Sequence, residues 1–163
     1  MKTQKLNLFI VDANKSASEE LKKHLQNQFG GDIDILTFKD GKSCLEEVES
    51  DTHIVILNYS QEDKNGLNLL KAIKDVNPRT EVILLTEHTD ITLAIESYQA
   101  GAKTLVVKGP DSRSKITSLV SRIVMAPIKI IEKELGLSQR LAMFLMSFIT
   151  IGVIVWIYFI IKH

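Results

Sequence analysis

The sequence predicts an α/β fold, an open doubly wound sheet of five parallel strands in (βα)5 order, followed by a single apolar C-terminal helix. Three observations carry this reading. Short runs of Ile, Val and Leu alternate with longer polar segments of helical period, the middle runs are apolar on both faces, and residues 141–161 carry no charge at all. A strand apolar on both faces belongs in a parallel sheet covered on each side by helices.

The runs "LNLFIV" (6–11), "IDILTF" (33–38), "HIVIL" (53–57), "EVILL" (81–85) and "TLVV" (104–107) read as the five strands. Between them, Ala17, Leu21 and Leu25, then Leu45 and Val48, then Leu67, Leu70, Ile73 and Val76, then Ile91, Ala94, Ile95 and Tyr98 recur at spacings of three and four. Each set therefore shares one helical face. Gly30 and Gly31 end the first helix, Gly66 opens the third, Asn77 and Pro78 close it, and Gly101 stops the fourth. A fifth helix occupies Ser112 to Met125, with Ile116, Leu119, Val120, Ile123 and Val124 apolar.

The C-terminal run "LAMFLMSFITIGVIVWIYFII" spans about 21 residues, which as a helix rises about 31 Å and matches a bilayer core of about 30 Å. It reads as a membrane span over 141–161, with Trp156 and Tyr158 toward its far end and Lys162 and His163 beyond it. Lys129, Lys133 and Arg140 precede it, so the positive-inside bias places residues 1–125 in the cytoplasm and 162–163 outside. The N-terminal "MKTQKLNLFIVD" lacks the apolar run and cleavage site of a signal peptide. Residues 126–140 form a connector in which Ile128, Ile131 and Leu135 oppose Lys129, Glu132, Lys133 and Glu134. Such a segment either lies at the membrane surface or pairs with a second copy. Pro127 marks a helix start or kink in it and Gly136 a break.

Twenty basic residues balance 20 acidic ones, and the even charge gives no footprint for a nucleic-acid partner. The lone Cys44 excludes an internal disulfide and a thiolate metal site; it is expected to be a half-buried helix residue. His24, His53 and His88 are scattered without a paired acid or nucleophile, so no hydrolytic triad or histidine metal cluster is expected.

In open α/β sheets a site forms at the carboxyl ends of the strands, near the switch in strand order. Those ends carry Asp12 and Ala13, then Asn58, then Thr86 and Glu87, then Lys108. No G-x-G-x-x-G loop follows the first strand, which argues against a dinucleotide.

At these residues the chain resembles the receiver domain of bacterial two-component response regulators, over about residues 4–125. The matching stretches are "LFIVDAN", "DGKSCLEEV", "HIVILNYSQEDKNGLNLLKAI", "VILLTEHTD" and "GAKTLVVKG", whose order and spacing together are specific. The resemblance implies a flavodoxin-like fold in which an aspartate after strand three takes a phosphoryl group from a histidine kinase, aided by Mg²⁺. Carried over position by position, the acceptor falls on Asn58, the paired acids of strand one on Asp12 and Ala13, the hydroxyl on Thr86 and the lysine on Lys108. Glu87 replaces the small residue beside the hydroxyl, Pro110 is displaced by one from its usual place, and the aromatic switch position on strand five is Leu105.

A neutral amide is a far poorer nucleophile toward phosphorus than a carboxylate, and two of the three acids that would hold Mg²⁺ are missing. The expectation is therefore a degenerate phosphorylation pocket, with no catalytic residue, no enzymatic activity and no metal. Asp12 and Lys108 are expected to pair directly. Glu87 either turns inward toward Thr86 and Lys108, biasing the domain toward one conformation, or points to water, which is the simpler reading. Glu62 and Asp63 are read as solvated acids rather than substitute metal ligands.

These expectations combine into a pseudo-receiver anchored in the bacterial cytoplasmic membrane and acting by phosphorylation-independent contact with a cytoplasmic or membrane signalling protein. Lipid would be contacted through residues 141–161, and a homodimer would form through helix four, strand five and helix five. The competing expectation is a divergent receiver phosphorylated on a substitute acid, serving as a phosphate sink or switch.

Overall fold

A computed structural model describes residues 5–59, 65–88 and 90–134. Five strands, β1 (Leu6–Val11), β2 (Ile33–Phe38), β3 (Thr52–Tyr59), β4 (Glu81–Thr86) and β5 (Thr104–Val107), form one parallel sheet in the order β2-β1-β3-β4-β5. Five helices alternate with them: α1 (Lys15–Phe29), α2 (Gly41–Glu47), α3 (Asn65–Val76), α4 (Ile91–Gln99) and α5 (Ser112–Glu134). Residues 1–121 make one compact unit and a second begins at Arg122. The expected doubly wound five-stranded sheet is what forms.

The sheet is held by burial on both faces. Phe9, Val11, Val55, Leu57, Val82 and Leu84 pack into one core with Cys44, Leu70, Ile73 and Leu93, so α2, α3 and α4 cover that face. Their strand neighbours Leu8, Ile10, Ile54, Ile56 and Ile83 point the other way, and Leu21 and Leu25 of α1 with Ile116 and Val120 of α5 supply the buried residues for the opposite layer. His24 links those two helices through a 3.0 Å hydrogen bond between Nε2 and Thr117 Oγ1. His53 is also structural. The β1–β3 register shifts between Asn7 and Leu8, and there His53 Nδ1 accepts the Asn7 backbone N–H at 3.2 Å, which fixes the ring tautomer with its proton on Nε2.

Four details differ from the expectation. β3 runs on to Tyr59, so Asn58 is a strand residue rather than the first loop residue. Cys44 is fully buried, not half-buried, and burial pushes its thiol up to about 12. α5 continues without a new start at Pro127, to Glu134. The face of α4 shared by Ile91, Ile95 and Tyr98 is turned to solvent, with exposures of 77%, 53% and 53%. Leu93 and Ser97 face the sheet instead. Spacing identified residues that share a face of this short helix but not which face is covered. The proposed span 141–161, Gly136, Glu62 and Asp63 lie outside the described residues. Among the described residues no helix is long and apolar enough to cross a membrane.

The amino-terminal ends of the strands are closed by side-chain hydrogen bonds to backbone carbonyls. Buried Asn77, just past α3, donates through Nδ2 to the carbonyls of Glu49, Ser50 and Thr52 at 3.0, 3.2 and 3.2 Å, while Thr80 Oγ1 donates to Thr52 O at 2.7 Å. Lys74 Nζ donates to the carbonyls of Pro78 and Thr80 at 3.2 and 2.7 Å. The Lys74 stem lies over Gly101, whose φ of +95° suits glycine and where a Cβ would meet Lys74 Cε at 3.3 Å. Asn77→Ala would strip donors from buried carbonyls and is expected to lower stability by about 1–3 kcal/mol in denaturant melts. A loss below about 0.5 kcal/mol would mean that water satisfies those carbonyls equally well.

Candidate functional site

The strand order reverses at β1, with β2 on one side and β3 on the other, which opens a crevice at the carboxyl ends of β1 and β3. Val11 lies opposite Leu57, so the next residues, Asp12 and Asn58, are placed side by side at the rim. Asp12 is 8% exposed, anchored by its backbone N–H to Phe38 O at 3.0 Å. Its Oδ1 accepts the Asn14 backbone N–H at 2.8 Å, and Asn14 in turn caps α1 by accepting from Ala17 N at 3.1 Å. Ala13 between them is exposed and contributes no polar atom. Asn58 Oδ1 is buried without a hydrogen-bond partner, alone in this among the described residues.

Thr86, Glu87 and Lys108 form a second cluster at the ends of β4 and β5. Thr86 is buried, and its hydroxyl both accepts the His88 backbone N–H and donates to the His88 carbonyl, each at 3.3 Å. The Lys108 backbone N–H donates to Thr86 O at 2.7 Å, extending the β4–β5 ladder by one rung. Lys108 Nζ pairs with Glu87 Oε1 at 3.3 Å, with the two side chains 32% and 67% exposed. The expected Asp12–Lys108 pair is therefore not formed. Lys108 takes the nearer carboxylate, on the adjoining strand end, and Asp12 is satisfied locally by Asn14. Glu87 turns toward Lys108 while staying largely in water, and Thr86 bonds to the backbone rather than to it. An ion pair this exposed contributes about 0–1 kcal/mol.

A groove of about 630 Å³ opens from Asp12 and Asn58 along the space between α2 and α3. Leu45, Leu57 and Leu69 form its apolar walls, and Lys39 and Lys42 stand at its exposed rim. Gly66, expected to open α3, lies in that helix's first turn against Tyr59, where a Cβ would sit 2.6 Å from the ring. Asp40 caps α2 by accepting Ser43 N–H at 2.9 Å, and the same bonds hold its carboxyl below the usual range. The groove's basic rim was not read from the sequence, because Lys39 and Lys42 look like ordinary solvated charges at the end of a strand. Asn14 was legible in principle as an N-cap before an apolar-periodic run. Among the described residues, no three of His, Cys, Asp and Glu come together as a metal cluster.

The profile of the response regulator receiver domain matches residues 8–121. The chain belongs to the receiver family. The DNA-binding transcriptional regulator NtrC of Escherichia coli K12 is 32% identical over 118 residues, covering 72% of this chain and 24% of that protein. The receiver thus spans about a quarter of the length of that relative. The regulatory protein LuxO of Vibrio cholerae is 27% identical over 78 residues, covering 47% of this chain and 17% of that protein. Among solved structures, the response regulator DrrB of Thermotoga maritima superposes with a TM-score of 0.65 at 27% identity, covering 76% of this chain and 54% of that one. The signal receiver domain of a LuxO repressor homologue from Vibrio parahaemolyticus has the same fold, with a TM-score of 0.65 at 20% identity, covering 78% and 97%.

Asn58→Asp would set a second carboxylate beside buried Asp12, which raises the folded-state pKa of the introduced group above its unfolded value of about 3.9. The penalty is fully present above that raised pKa and is relieved as pH falls through it. The variant is expected to be about 1–3 kcal/mol less stable than the parent at pH 7, with a smaller deficit at pH 4.5, in denaturant melts at the two pH values. Equal deficits at both would show that the two side chains do not interact.

Proposed function

We propose that this receiver is a membrane-anchored pseudo-receiver of two-component signalling, a non-enzymatic module acting by phosphorylation-independent protein–protein contact at the cytoplasmic face of the membrane. The observation that carries the reading is the amide of Asn58 at the position where the family presents its acceptor carboxylate. Acyl phosphate formation needs an anionic oxygen attacking phosphorus, and this side chain offers a neutral one.

The surrounding donor set supports the same reading. Mg²⁺ favours an octahedral shell rich in carboxylate oxygen, and among the described residues Asp12 is the one acid placed beside Asn58, with one of its oxygens already bonded to Asn14 N–H. Those residues do not fit the family's metal. Lys108, which would meet a phosphoryl oxygen in the family, is engaged by Glu87 without any modification.

For output, the exposed apolar face of α4 supports direct contact with another protein, and we assign it to a second copy of the chain through α4, β5 and α5. Ile91, Ile95 and Tyr98 there are larger and more exposed than a solvated helix face requires. The uncharged run 141–161, with basic residues before it, supports the tether and its cytoplasmic orientation. The NtrC relative is a DNA-binding regulator, but the match covers only its receiver-sized part, and the even charge of this chain supports no nucleic-acid contact.

Incubation of the full chain with acetyl phosphate and Mg²⁺, read by intact mass, is expected to give no phosphoryl increment. The Ala13→Asp, Asn58→Asp, Glu87→Ala triple variant is expected to gain one. A stable increment on the parent chain would establish the competing reading, a phosphorylated sink or switch. Alkaline carbonate is expected to leave the full chain in the membrane fraction, and its release without detergent would remove the tether.

A further inference from the structure

The balance of 20 basic and 20 acidic residues hides a division along the chain. Residues 1–121 carry 15 basic and 18 acidic residues, while the second unit, from Arg122 on, carries five basic and two acidic ones. Four of those five cations, Arg122, Lys129, Lys133 and Arg140, precede the uncharged run 141–161. α5 continues as one helix to Glu134, which fixes where the first three fall on its circumference. At about 100° per residue, positions 122, 129 and 133 lie within about 40° of one another, on one line of the helix. Arg122 at the head of that line is exposed. Positions 124, 128 and 131, all apolar, share the opposite line, and Glu132 and Glu134 occupy positions to either side of it.

An apolar line at spacings of four and three suits either a second helix or the acyl boundary of a bilayer. Charge decides between them. Two copies paired along this line would bring Glu132 and Glu134 of each toward the same acids of the other, leave the cations on the outside, and place Pro127 in the seam. A helix with cations along its polar line and aliphatic residues opposite suits an anionic lipid surface instead. We propose that residues 122–134 lie along the cytoplasmic surface of the membrane and bind anionic phospholipid headgroups through Arg122, Lys129 and Lys133. Distance requires the flat arrangement. The segment rises about 18 Å from end to end, whereas charges in water are screened beyond about 8–10 Å, so an upright helix would hold Arg122 out of reach of the headgroups that Lys133 meets. The inference rests on the run 141–161 holding the chain in the membrane, which supplies the surface at short range.

The test is hydrogen exchange of the full chain in lipid discs of phosphatidylcholine alone or mixed with phosphatidylglycerol. Amides of residues 122–134 are expected to exchange about tenfold more slowly in the anionic discs, and raised salt should erase the difference. The Arg122→Gln, Lys129→Gln, Lys133→Gln triple variant should lose the lipid dependence while exchange within residues 1–121, which reports the receiver fold, stays as in the parent. Equal exchange of the parent in both disc types would overturn the inference. So would protection that is the same in both lipids and falls when the chains are diluted to one per disc, which would assign the segment to a second copy. Alkaline carbonate separates this inference from the tether: retention without lipid dependence removes the headgroup contact alone, whereas release of a chain whose residues 122–134 are still protected by phosphatidylglycerol vesicles removes the tether alone.

Discussion

Everything at the functional end depends on the pairing of β1 with β3. Both strands are buried on both faces, so neither can shift by one residue without moving every Ile, Val and Leu to the wrong layer. That register, Val11 opposite Leu57, brings Asp12 and Asn58 together and leaves a crevice between them where the chain departs in opposite directions to α1 and α3. The site is a by-product of packing that would exist whatever residues occupied its rim. Its chemistry is then decided by very few side chains.

Those side chains divide into two groups with different electrostatics. Asp12 and Asn58 share a low-dielectric crevice in which acceptor capacity exceeds donor supply, so unmet hydrogen bonding dominates there. Glu87 and Lys108 sit nearer to water and their ion pair is weak, while Thr86 is buried and bonded to the His88 backbone. The two groups need not act together. Lys108 is paired with Glu87, and Asp12 is bonded to Asn14 instead.

The sheet was legible because its strands are nearly continuous β-branched runs and its helices carry apolar residues at strict spacing. The position of the candidate site followed from strand ends alone: Asp12, Ala13, Glu87 and Lys108 follow β1, β4 and β5, while Asn58 and Thr86 lie within the last residues of β3 and β4. What was not legible was pairing and orientation. Lys108 chose between two acids by local reach, which no spacing encodes. Ile91, Ile95 and Tyr98 form an impeccable apolar stripe, yet Leu93 and Ser97 cover the sheet, because a helix of nine residues rotates to suit the loops that hold it. The half-burial expected for Cys44 missed its position under the sheet for a similar reason: α2 is only seven residues long and lies against β1, β2 and α3.

The hydrogen bonds from Asn77, Thr80 and Lys74 close the end of the sheet opposite the crevice. They tie the start of β3 to the turn between α3 and β4, while the Lys74 stem covers the turn before β5, so the polar closure of the fold is concentrated where no chemistry takes place. The rim residues of the crevice belong to none of those bonds. An acceptor carboxylate can be exchanged for an amide there, or a metal-binding acid for alanine, without disturbing the network that keeps the chain folded. The closure of the fold and the candidate site thus lie at opposite ends of the sheet, so a side chain at the crevice can change without touching the bonds made by Asn77, Thr80 and Lys74.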